Sequence, residues 1–179
     1  MSCSKPPQLH EVVKPLAWLL GKWRSEHGRG MYPTMKNFTY GEEVEFSHIG
    51  QPNLQYRAYS WMGDHDTPMH REIGYVRLQP GSLHVAFIIA HNTGLSEVEE
   101  GEVNGTTIKL ESKGISRLSF GSEPSVKKIV RTFRMKEEDV LEQVMYMETS
   151  RTPLTEHLRI QYKKQKHHAW EDNVFYTAY

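Results

Sequence analysis

Along most of the chain apolar and polar residues alternate with period two, the pattern of strands that bury one face. Val44, Phe46 and His48 share a face opposite Glu43, Glu45 and Ser47. Leu83, Val85, Phe87, Ile89 and His91 form another, opposite His84 and Ala86. Further extended segments read as Lys22–Glu26, Gln55–Trp61, Arg71–Leu78, Leu95–Val103, Thr106–Glu111, Ser116–Phe120, Lys128–Met135, Leu141–Glu148 and Glu156–Tyr162. One stretch departs from alternation. Between Val12 and Leu20 the apolar residues crowd too closely for a sheet face, Pro15 suits a first helical position, and Gly21 supplies a stop, so a short helix is predicted there.

Turn residues separate the strands: Gly50 to Pro52, Gln79 to Gly81, Asn92 to Gly94, and Asn104-Gly105, the dipeptide favoured in type I′ hairpins. Such short connections pair neighbouring strands antiparallel. About ten strands in an open sheet would leave two exposed edges, and closure removes both. The predicted fold is therefore all-β, a ten-stranded antiparallel up-and-down barrel with a short N-terminal helix, wide enough to hold a ligand. One domain over residues 10–164 accounts for the pattern, and the segments 1–9 and 165–179 are expected to be loose.

Composition narrows the chemistry. The 179 residues carry 22 basic and 22 acidic side chains, a balance that removes the phosphate attraction nucleic-acid binders rely on. No run of about 18 apolar residues marks a membrane helix, and residues 1–7 do not resemble a secretion signal, so a cytoplasmic protein is expected, with the nucleus also compatible. Cys3 alone makes neither an internal disulfide nor a cysteine zinc site. Phosphate-binding loops, dinucleotide fingerprints, His-Glu-x-x-His and the Gly-x-Ser-x-Gly elbow are all missing from the sequence.

Histidines remain as the candidate chemistry. His65, His70 and Glu72 offer two imidazoles and a carboxylate, a workable set for zinc or non-haem iron, against the plainer reading of a solvated loop histidine beside a strand entry. His48 and His91 read as core histidines bonded to backbone. Alternation puts His157 with Arg159 and Gln161, opposite Leu158, Ile160 and Tyr162, which makes it a surface residue; His167 and His168 read as solvent-exposed. Met69, Met145 and Met147 are core filler, or the lining for a large flat apolar ligand, and Trp23 and Trp61 are packing residues.

A set of motifs changes this picture: Gly21-Lys-Trp23, then Gly28-Arg-Gly30-Met-Tyr32-Pro33-Thr34, Phe38-Thr-Tyr40 and Glu43, then Phe46-Ser-His48 with Gly50 and Pro52. Pro68-Met-His70-Arg-Glu72 with Gly74-Tyr75, Asn92-Thr-Gly94, Glu97-Val-Glu99 and Pro153-Leu-Thr-Glu-His157-Leu158 follow in order. In sequence and spacing these resemble the nitrobindin family, in particular the haem-binding domain of animal THAP-domain proteins. The resemblance implies a barrel shaped like the lipocalins and fatty-acid-binding proteins, holding one haem b. It implies His157 as axial iron ligand, Thr34 as a second haem contact, His70 on the distal side and His91 facing the pocket, with Met69 and Met147 as pocket lining. His157 and His70 would be the catalytic pair. On His157 the resemblance contradicts alternation, unless a bulge or bend near Pro153 turns the strand.

The implied activity is peroxynitrite isomerisation to nitrate at ferric haem, with nitric oxide binding at ferrous haem, so the partners are small molecules. A homodimer stays open. The rival from another class is a non-enzymatic carrier of a hydrophobic small molecule, which has no use for a lone inward imidazole at position 157. The family's Gly-x-Trp-x-Gly-x-Gly signature is broken here by Ser25 and by an insertion around Glu26 and His27. The zinc-coordinating DNA-binding domain of the THAP-domain relatives has no counterpart in these residues, so DNA binding is not expected of them.

Overall fold

A computed structural model describes residues 6–63 and 67–166. Ten strands follow a 3-10 helix at Glu11–Leu19: β1 Gly21–Gly30, β2 Phe38–Ser47, β3 Asn53–Met62, β4 Thr67–Leu78, β5 His84–His91, β6 Leu95–Asn104, β7 Thr107–Arg117, β8 Val126–Glu137, β9 Val140–Thr149 and β10 Thr155–Lys164. Each strand pairs antiparallel with its chain neighbours, and β1 pairs with β10 to close the barrel. Closure leaves no edge strand, as alternation and short turns predict.

Local chemistry modifies four expectations. The helix forms as a 3-10 helix with Pro15 inside it rather than at its first position, since the missing amide of proline disfavours a continued α-helical ladder. Ser116–Phe120 is not a separate strand: β7 runs on to Arg117, and Leu118 to Gly121 turn, with the Gly121 amide bonded to the Leu118 carbonyl. The β6–β7 hairpin pairs Asn104 with Thr107, so its loop is Gly105-Thr106, not Asn104-Gly105. Gly105 has φ +58° while Thr106 does not take positive φ, the signature of a type II′ turn. A β-branched residue at the second loop position disfavours the type I′ alternative. Leu83, assigned to the inner face, is exposed just ahead of β5.

The two ends of the barrel are filled differently. Odd strands begin and even strands end where the helix sits, and there Val13, Leu16 and Leu19 are fully buried while the Trp23 indole donates to the Leu19 carbonyl at 2.7 Å. Phe46, Phe87 and Phe133 fill the interior, with ring centroids 5.7 to 6.3 Å apart. Each such side chain contributes roughly 1.5–3 kcal/mol by burial. The opposite end gathers the start of β4, β6, β8 and β10 and the end of β5 and β9. Every described residue singled out above for chemistry, apart from His48, lies at or beside that end.

The termini are partly tied down. Leu9 packs against the core, and the Gln165 amide donates to the Lys22 carbonyl. The remainder of the expected loose segments, 1–5 and 167–179, with Cys3, His167 and His168, lies outside the described residues, as does His65.

Candidate functional site

His157 is buried, 1% exposed, although alternation puts it on the outside. The reason is a bulge. On the β9–β10 ladder Glu156 pairs with Tyr146 and Leu158 with Met145, leaving His157 as the extra residue without a partner. One inserted residue exchanges the inner and outer sets, so His157 faces inward at the bulge and Ile160 and Tyr162 face inward after it. Its Nδ1 lies 2.8 Å from the Thr155 carbonyl, an acceptor only, so Nδ1 carries the hydrogen and Nε2 keeps its lone pair in the neutral ring. The edge of the ring meets Tyr32, centroids 4.8 Å apart.

The surroundings of His157 are apolar. Ile129, Met145 and Met147 form a buried cluster against Tyr32, Ile115, Val126 and Leu158. Tyr32 stacks on Phe38 at 5.7 Å, and Phe38 lies where a Cβ on Gly30 would be, 2.2 Å from its ring. The glycine there makes room for the ring that backs Tyr32. The insertion at Glu26 and His27 is absorbed as a bulge: Ser25 pairs with Glu42 and Gly28 with Tyr40, after which Gly28 and Gly30 are buried. Thr34 sits in the exposed loop after Tyr32, where the Met35 amide bonds to the Tyr32 carbonyl. Burial, with the charges of Glu42 and Glu72, pushes the Tyr32 phenol up to about 12.

A polar half faces this apolar one. Pro68 pairs with Trp61 and His70 with Ser60, so Met69 is the extra residue of a bulge ahead of His70 and packs on the core. His70 Nε2 is 2.8 Å from His91 Nδ1, and His91 Nε2 is 2.8 Å from Glu97 Oε1. His91 is thus bonded to side chains, not to backbone as its strand position suggests. His48 lies half-buried beyond the end of β2 and accepts from the Gly50 amide.

Behind the imidazoles is a buried guanidinium. Arg131 donates through Nε to Glu99 Oε1 at 3.1 Å, and through Nη1 to Glu72 Oε2 at 2.9 Å and to the Tyr56 hydroxyl at 3.2 Å. Its Nη2 is 3.5 Å from Glu97 Oε1. Burial alone would raise Glu72, but Arg131, with His70 and His91, holds it well below the usual carboxylate range. Glu99 goes the other way: burial outweighs Arg131 and pushes it up to about 8.

Alternation carries no sign of this network as a network. Its one visible trace is Arg131 on the face of Ile129 and Phe133; on β6 the rule is inverted, with Glu97 and Glu99 buried and Val98 exposed. The structure therefore brings together His157, Met147 and, through Tyr32, the Thr34 loop on one side, and His70 with His91 on the other. Of the His65, His70 and Glu72 set, His65 lies outside the described residues, and the structure joins His91 to His70 and Glu72.

Comparison with known proteins agrees with this architecture. The chain is 50% identical over 161 residues to "Peroxynitrite isomerase THAP4" of Rattus norvegicus, covering 89% of this chain and 28% of that protein. It thus spans little more than a quarter of that relative's length. "Peroxynitrite isomerase Rv2717c" of Arabidopsis thaliana is 42% identical over 86% of this chain and 89% of its own. The crystal structure of Rv2717c from M. tuberculosis superposes with a TM-score of 0.79 at 31% identity, covering 89% of this chain and all of that one. The description "THAP4-like, heme-binding beta-barrel domain" matches residues 12–164, and the chain belongs to that family.

Proposed function

We propose that this chain holds one haem b at the end of the barrel away from the helix with His157 as axial ligand, and isomerises peroxynitrite to nitrate there. The observation that carries this reading is the buried imidazole of His157, fixed by Thr155 in the tautomer that leaves Nε2 free to ligate, within an apolar lining. The names of the relatives support the activity. The residues fit the group: a flat apolar macrocycle matches Met147, Met145, Ile129 and Tyr32, and the single unprotonated nitrogen suits its iron.

Bound there, haem supplies a Lewis-acidic ferric iron for the anion and, when reduced, a ferrous iron for nitric oxide. The protein's part is placement. Thr155 fixes the ring of His157, and Tyr32 buttresses it from the edge. Thr34 seats the porphyrin from the loop at the rim. His70, one-third exposed, offers the incoming anion a hydrogen-bonding group on the distal side, and His91 with Glu97 holds His70 in register. A carrier of a hydrophobic small molecule has no role for a buried lone imidazole at 157.

Titration with hemin tests the reading. The expected result is a Soret shift saturating at one haem per chain, lost in His157→Ala, with peroxynitrite decay accelerated by the ferric parent alone. No saturable shift in the parent overturns it and moves the carrier reading to first place.

A further inference from the structure

We propose that His70, Glu72 and His91 bind one divalent transition-metal ion of the zinc class, through Nε2, Oε1 and Nδ1, at a site distinct from the haem iron. The inference uses neither His157 nor the apolar lining; it shares His70 and His91 with the haem reading, and a bound ion takes the His70 nitrogen that would otherwise face the anion.

The geometry is close to what such an ion requires. His70 Nε2 and His91 Nδ1 lie 3.4 and 3.5 Å from Glu72 Oε1. A tetrahedral ion with ligands at 2.0–2.1 Å separates them by about 3.3 Å. The two imidazole nitrogens are closer, at 2.8 Å, because a proton now joins them; a cation that replaces the proton opens that edge by about half an ångström. Two imidazoles and one carboxylate form a borderline donor set that suits zinc.

Two of the three ligands, His91 and Glu72, are also oriented from behind, as metal ligands are. His91 Nε2 donates to Glu97, which leaves Nδ1 to face the site. Arg131 Nη1 and the Tyr56 hydroxyl both occupy Glu72 Oε2, at 2.9 and 2.8 Å, so Oε1 is the oxygen turned toward the imidazoles; Arg131 Nη2 approaches it only at 3.4 Å.

Charge points the same way. Three buried carboxylates, Glu72, Glu97 and Glu99, surround Arg131 as their one guanidinium. Glu97 Oε2 and Glu99 Oε2 are buried with no hydrogen-bond partner. Three acidic side chains share one guanidinium and leave two buried oxygens without a donor, so a second cation a few ångströms away is attracted by the surplus oxygens and not simply repelled by Arg131. Access is through His70, whose side chain is 33% exposed while those of Glu72 and His91 are 6% exposed.

The test is calorimetric titration of the full chain with zinc ions after chelator treatment, with and without haem. One ion per chain is expected, weakened at least tenfold in His70→Ala, and unchanged in the double variant His167→Ala/His168→Ala. His157→Ala is expected to lose haem and keep zinc, so the two readings fail separately. Should His70→Ala lose its fold, the parent still decides: the imidazole resonances of His70 and His91 must shift together at one equivalent of zinc. No saturable uptake, uptake that survives in folded His70→Ala, or shifts confined to other histidines overturns the proposal.

Discussion

The two ends of the barrel solve the same problem, a filled interior, with opposite materials. At the helix end the filling is apolar and complete: Val13, Leu16, Leu19, Trp23 and the Phe46, Phe87 and Phe133 rings are almost fully buried. At the other end the interior holds an arginine, three glutamates and two histidines on one side and an apolar wall around His157 on the other. Tyr56 joins the two regimes, its ring 5.2 Å from Phe46 and its hydroxyl bonded to Glu72. The helix end is an ordinary apolar core, and the other end carries desolvated charge that such a core avoids. The two ends should therefore respond differently to substitution.

The sharpest way to break the comparison is Arg131→Ala, which strips three buried acidic side chains of their shared guanidinium. Removing one partner of a buried charge cluster costs about 3–5 kcal/mol, and urea unfolding should show a loss of that size, largest near neutral pH and smaller in acid, where the carboxyls can take up protons. A loss under 1 kcal/mol would mean that the network is already relieved, by protons or by water. Phe46→Ala tests the other end. Truncating a buried aromatic costs about 3–5 kcal/mol, and here the penalty should be independent of pH and leave haem stoichiometry at one. A pH-dependent penalty would show that the two ends are not separable.

A third prediction concerns Glu42, which accepts from the Tyr162 hydroxyl inside the barrel. Burial pushes Glu42 up to about 7, against the pull of that hydroxyl, and the charge of Glu72 adds to the push. Because the folded value is raised above the unfolded 4.5, the neutral form is the stabilising one. The contribution is complete below pH 4.5 and is lost as pH rises to about 7. The loss amounts to roughly 3 kcal/mol. Glu72 has the reverse sign, its contribution being present above the unfolded value and lost in acid. Thermal melts from pH 5 to 8 should show a downward slope in the parent that Glu42→Gln flattens; an equal slope in both would assign the effect elsewhere, with Glu99 the next candidate.

What was legible in the sequence follows from the same contrast. Strands were readable wherever an apolar row faces the interior, as in Val85, Phe87 and Ile89, because hydrophobic burial has the period of the pleat. That rule cannot see a buried charge. Glu97 and Glu99 look like a solvated face until Arg131, 34 and 32 residues further on, is brought against them by closure of the sheet. His157 was unreadable for a different reason: a single unpaired residue reverses inside and outside, and nothing in Thr155 to Tyr162 marks where the ladder slips. The motifs shared with a known family pointed to His157 where periodicity pointed away. His91 beside His70 required the β4–β5 register, which pairs His91 with Glu72.

The smallest predicted effect probes how the apolar half is aimed. Gly30 is buried on β1, and a Cβ there would fall 2.2 Å from the Phe38 ring, inside any real contact distance. Gly30→Ala must therefore move Phe38, which stacks on Tyr32, which in turn meets His157 edge-on. Overpacking of this kind costs about 1–3 kcal/mol, a modest change in the urea midpoint. Its functional signature should be out of proportion to that cost: weaker haem binding and an altered Soret position, because the ring beside the proposed ligand shifts while His157 itself is intact. Adding Phe38→Leu to Gly30→Ala should restore part of the affinity by vacating the space. If Gly30→Ala binds haem as the parent does, Tyr32 and Phe38 only fill volume, and the orientation of His157 belongs to the bulge and the Thr155 carbonyl alone.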